Sequence, residues 1–149
     1  MSDATIPPVA KIEELLASFE ERVPVWGITV FTVDGYIIAH RLFYNKMPPD
    51  IEMAVSSLSA SLITIAENFI GFIDPEKVFR QITFDAMDDA GGISFTILLK
   101  QVADNVLLTC IFPSSVQLGL VVFELENLSE EIREVVSEWE VKLHEETMT

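Results

Sequence analysis

Cysteine and histidine are scarce: one Cys and two His occur in 149 residues. Disulfide frameworks need paired cysteines and zinc sites need several Cys or His at fixed spacing, so neither is expected. Basic residues are also few. Nine Lys and Arg stand against 24 Asp and Glu, a net charge of −15. Nucleic acid and anionic bilayers attract Lys and Arg stripes, so the charge argues against both as partners. The Gly91-Gly92 pair has no Lys-Ser or Lys-Thr behind it and forms no phosphate-cradling loop. The longest uncharged stretch, residues 105–123, is broken by Pro113, Ser114, Ser115 and Gln117, so it is expected to fold as strand, turn and helix rather than insert in a membrane. The first residues lack the basic and apolar pattern of a secretion signal. Cys110 lies in an apolar run, where a thiol serves as a small buried hydrophobe, and a reducing cytoplasmic location is expected.

What is present describes one domain. Half of the residues are apolar, the mean hydropathy is +0.38, and a chain of this length can bury roughly 68–70% of its unfolded surface. Residues 1–8, ending in Pro7-Pro8, read as a flexible tail, residues 9–143 as the domain and residues 144–149 as a frayed end. Residues 124–149 carry nine Glu against Arg133 and Lys142, which requires a solvated face.

Periodicity gives the element order. Ile12, Leu15, Leu16, Phe19 and Val23 form a helical stripe that should stop at Pro24. Residues 25–33 are β-branched and aromatic on both faces, as in a covered central strand. Asp34-Gly35 suits a two-residue hairpin loop, and residues 36–43 return as the second strand. After a turn-rich segment at residues 44–49, a helix is predicted from Asp50 to Ile70, with Ile51, Ala54, Val55, Leu58, Leu62, Ile65 and Phe69 on the stripe facing the sheet. Its opposite side, with Met53, Ser57, Ala60, Ser61 and Thr64, is also uncharged. Either the helix is buried within one chain, or it packs on a sheet by one face and on a second subunit by the other. Residues 78–84, 93–100 and 106–112 read as an antiparallel meander, the first and most polar being an edge strand. Ser114 with Gln117 could form a capping box for a last helix with Leu118, Val121, Leu125, Leu128, Ile132 and Trp139 on its stripe.

Catalytic readings find few residues to use. His40 sits in a strand and His144 near the chain end. Ser56-Ser57 and Ser59-Ala60-Ser61 are mid-helix, and Asp85, Asp88 and Asp89 lack calcium-loop spacing. No catalytic, metal or cofactor residue is assigned.

The order α-β-β-α-β-β-β-α resembles the roadblock family of dynein light-chain-related domains. Val25-Trp26-Gly27-Ile28-Thr29-Val30 with Asp34-Gly35-Tyr36-Ile37-Ile38-Ala39 is similar to the family's opening hairpin. Glu52-Met53-Ala54 opens the middle helix as the family does, and Leu118-Gly119-Leu120 marks entry to the last. Longin and profilin-like domains are the nearest confusable shapes. The resemblance implies an α+β fold of roadblock/profilin-like form, with a five-stranded antiparallel sheet between the middle helix and the two terminal helices. It also implies dimers in which edge strands pair and middle helices lie side by side. Met53, Ser57, Ala60, Ser61 and Thr64 would then meet the partner, together with Phe79, Arg80, Gln81, Ile82, Thr83 and Phe84.

Roadblock proteins serve as non-catalytic scaffolds or regulators of Ras-like small GTPases, or as adaptors in motor and signalling complexes. The resemblance therefore implies self-association or pairing with a paralogue, and a GTPase contact near Met53, Ser56, Ser57 and Ala60. Arg22, Arg41, Arg80 and Arg133 are the arginines open to a catalytic finger role. The competing expectations are a small-molecule sensor and a peptide-binding adaptor without a GTPase.

Overall fold

The computed structural model describes residues 8–42 and 50–148, with the side chains of residues 42, 93 and 140–148 excepted. The segment 44–49 predicted as turns, and most of the tail 1–8, lie outside the described residues.

The elements follow in the order α1 (Val9–Arg22), β1 (Gly27–Thr32), β2 (Ile37–Leu42), α2 (Ile51–Ile73), β3 (Gln81–Met87), β4 (Ile93–Ala103), β5 (Val106–Pro113) and α3 (Leu118–Met148). The strands form one sheet ordered β2-β1-β5-β4-β3, with neighbours antiparallel throughout. β1 is interior, as its two apolar faces require, but the centre belongs to β5. β3 is an edge, as its polarity predicts.

α1 buries Ile12, Leu16 and Phe19 and gives way to extended backbone at Val23, ahead of Pro24, whose missing N–H cannot continue a helix. The β1–β2 loop is one residue longer than predicted. The Thr32 N–H donates to the Tyr36 carbonyl and the Gly35 N–H to the Thr32 carbonyl. Of the loop residues only Gly35 has a positive φ, +89°. A two-residue hairpin turn of the Asn-Gly type needs positive φ at both central positions; here an ordinary turn at Val33-Asp34 is closed by a left-handed glycine.

β3 begins three residues later than the predicted strand. Phe79 is buried, 3% exposed, beside Ile63, Phe31, Leu99 and Leu107. It anchors the connector under α2, and ladder pairing starts where Gln81 meets Lys100. Ser114 and Ser115 lie in a turn and α3 begins only at Leu118, so the predicted capping box is replaced by that turn.

The two sides of the sheet are unequal. α1 and α3 cover one face, where twenty buried residues, Phe19, Ile28, Leu108, Cys110 and Leu125 among them, form one cluster. On the α2 face the buried apolar cluster among the described residues has five members, Phe31, Ile63, Phe79, Leu99 and Leu107. α2 lies chiefly over β1, β2 and β5 and reaches β4 through Ile63 and Leu99, and among the described residues no second helix covers the β4–β3 half of that face.

Candidate interaction groove

Helix α2 is oriented differently from the sequence prediction. Its buried residues are Ser56, Ser59 and Ile63, whereas Leu58, Ile65 and Phe69 of the predicted core stripe are 62–69% exposed and Phe72 is 95% exposed. Small residues face the sheet because they let the helix approach it closely. The Ser59 and Thr109 hydroxyls hydrogen-bond at 2.9 Å across the junction, and the Ser56 hydroxyl donates to the Met53 carbonyl. Both serines, though buried, are thereby satisfied.

Between α2 and the uncovered strands runs a groove of about 530 Å³. Ile51, Val55, Leu58 and Leu62 form its helical wall and Trp26, Phe84, Phe95 and Ile97 its sheet wall, with Ser59 and Thr109 at the base. The Trp26 and Phe95 rings pack 5.4 Å apart in a tilted arrangement. Exposed apolar area on this scale marks an interaction surface. Among the described residues, α2 is also the one helix long and apolar enough to cross a bilayer, but its Ser56, Ser59 and Ile63 side is occupied by the sheet.

The predicted interface residues divide. Met53, Ser57, Ser61 and Thr64 share the outward side of α2 and are exposed. The three hydroxyls are turned back onto the carbonyls of Met53, Ser57 and Ala60, leaving a flat, uncharged surface. Ala60 is half-buried against the inner cluster. Ser56, 2% exposed, faces the sheet and is not available to the GTPase contact predicted for it. Phe79 is likewise core rather than interface, while Arg80, Gln81, Thr83 and Phe84 are exposed at the edge and Ile82 is half-buried.

Sequence reasoning missed Leu58, Ile65, Phe69 and Phe72 as surface residues. The signal was present: Ser56, Ser59, Ile63, Ala66 and Ile70 are in helical phase with one another, a second stripe that competes with the larger one.

Several charged groups have structural partners. Lys100, 4% exposed, and Arg80 both reach Glu126 of α3. The hydrogen bonds from Lys100, then from Arg80, lower the Glu126 carboxyl to about 2. Arg22 pairs with Glu124 and Arg41 with Glu20, while Arg133 donates to the Val102 carbonyl. Each arginine considered for a finger is thus engaged within its own chain. Asp85 and Asp88 accept hydrogen bonds from Thr96 and Ser94, and among the described residues no cluster of three His, Cys, Asp or Glu could hold a metal. Burial raises the Cys110 thiol far above its ordinary value, so it stays protonated and unreactive.

The element order, the five antiparallel strands and the placement of one helix against two coincide with solved structures. MglB of Myxococcus xanthus superposes with a TM-score of 0.74 at 17% identity, over 89% of this chain and 92% of that one. The fold is that of a Roadblock/LC7 domain. A structure described as MglB with tetrameric arrangement gives a TM-score of 0.77 at 15% identity over 89% and 92%. A Roadblock/LC7 domain from Streptomyces avermitilis gives 0.70 at 15% over 84% and 97%. No protein-family model matches the chain, and no curated protein matches it. Within the Roadblock/LC7 fold, the groove lies between the middle helix and the third strand.

Proposed function

We propose that this protein is a non-catalytic, cytoplasmic scaffold or regulator that works as a dimer, with itself or with a paralogue, and docks a Ras-like small GTPase or organises a signalling or motor complex. The observation that carries the reading is the apolar stripe Leu58, Ile65 and Phe69 standing exposed beside an apolar groove. A second chain would cover both and complete the thinner side of the sheet. The outward side with Met53, Ser57, Ser61 and Thr64 would remain free, and pairing would double it into a platform. The Roadblock/LC7 fold and the tetrameric arrangement named for one MglB structure support self-association. Light scattering at micromolar concentration tests the dimer: twice the chain mass is expected, and a monomer refutes it. Pull-down with GTP- and GDP-loaded small GTPases tests the platform.

The groove favours a second reading. Its volume of about 530 Å³ suits a small apolar ligand, since such sites span roughly 300–1,000 Å³. A compound co-purifying in denaturing mass spectrometry would support this sensor role. A peptide helix in the same groove, without a GTPase, would make the protein an adaptor.

A further inference from the structure

The outward side of α3 changes character along its length. Val121, Leu125, Leu128, Ile132 and Val136 are buried on the inner side. On the other, Leu120, Phe123, Glu130, Glu131, Glu134 and Glu138 lie in one helical phase, all of them exposed. Phe123 is 63% and Leu120 42% exposed, so an apolar end is followed by an acidic one. The surface lies across the sheet from α2 and its groove.

The glutamates of α3 divide along the same line. Glu124 pairs with Arg22, and Glu126 with Arg80 and Lys100, whereas no ion pair among the described residues reaches Glu130, Glu131, Glu134 or Glu138. Glu130, Glu134 and Glu138 follow one another at four-residue spacing, where like charges repel and disfavour the helix. Together with Arg133 and Ser137 they line a shallow cavity of about 490 Å³, and the Arg133 Nε is already given to the Val102 carbonyl. Positive charge from outside would relieve this ladder.

The chemistry selects among occupants. Among the described residues no three carboxylates are grouped closely enough to hold a metal ion. Nucleic acid and anionic bilayers are repelled, and a second copy would bring the same carboxylates against these. A helix that is apolar at one end and rich in Lys or Arg at the other complements both halves, along about 27 Å or roughly five turns from Leu120 to Glu138.

We propose that the outward side of α3 docks a basic amphipathic helix of another protein, its apolar side chains on Leu120 and Phe123 and its cations on the Glu130, Glu134 and Glu138 ladder. The surface is separate from the dimer groove, so a chain found to be monomeric would still test it. The probe is a fluorescent helical peptide of about 18 residues, with leucines at helical spacing in its first half and lysines at four-residue spacing in its second. Titrated with the full chain, its anisotropy should show saturable binding that weakens as salt rises from about 50 to about 500 mM. Leu120→Ala with Phe123→Ala should weaken binding roughly tenfold or more, and Glu130→Gln with Glu134→Gln should weaken it and flatten the salt dependence. All four side chains are exposed, so far-UV CD should be unchanged in both variants. No binding of the peptide would overturn the proposal. So would equal binding by the Leu120 and Phe123 variant, or by a peptide with serines in place of the leucines.

Discussion

Ser59 on α2 and Thr109 on the central strand β5 share a buried 2.9 Å hydrogen bond, the polar link between the middle helix and the sheet. Replacing either partner leaves the other hydroxyl buried without a bond. Ser59→Ala and Thr109→Val should each cost about 1–3 kcal/mol, and the double variant less than the sum. Urea denaturation of the three variants checks this.

The inner and outer faces of α2 should respond oppositely. Ile63, 2% exposed, should lose about 2–5 kcal/mol on truncation to alanine. Leu58→Glu and Ile65→Glu, on the exposed stripe, should leave the helical CD signal of the chain intact while abolishing the dimer. Light scattering and thermal melting on the same samples separate the two outcomes. Mass unchanged in both glutamate variants would refute the groove as interface.

Glu126 should contribute to the acid limb of stability. Its carboxyl is lowered to about 2 by Lys100 and Arg80, below the ordinary value of about 4.3 for an unfolded glutamate. The unfolded state therefore binds the proton first. The stabilisation is present above the unfolded value and is lost as pH falls through that range toward 2. The side chain is 40% exposed, so water and salt weaken the contribution. Denaturation midpoints between pH 5 and pH 2 should fall less steeply in Glu126→Gln than in the unmodified chain.

Gly35 closes the first hairpin at φ +89°, and a Cβ there would meet only the Ser57 Cα at 3.8 Å, an ordinary contact. Gly35→Ala should therefore cost about 1–2 kcal/mol through backbone strain alone. A loss well beyond that range in chemical denaturation would indicate that the hairpin must move against α2.

Local signals were legible because they depend on neighbours in the chain. Pro24 ends α1, Gly35 turns the hairpin, and the stripe Val121, Leu125, Leu128 and Ile132 builds α3 against the sheet. The rotation of α2 was not legible, since its whole circumference is uncharged between Glu52 and Glu67 and two stripes compete. The start of β3 was hidden because Val78-Phe79, although it breaks the alternation kept from Gln81 to Phe84, acquires its core position only under α2.

The amino-acid sequence by itself determined the number, type and order of the elements, the unreactive thiol and the acidic surface, all properties of periodicity and composition. Tertiary structure decided which side of α2 met the sheet. A close-packed junction selects for size and hydroxyl pairing as well as apolarity. Ser56 and Ser59 fit on the buried side, Ser59 against Thr109 of β5, where Leu58 would have held the helix away, and so the leucine was left to line the groove.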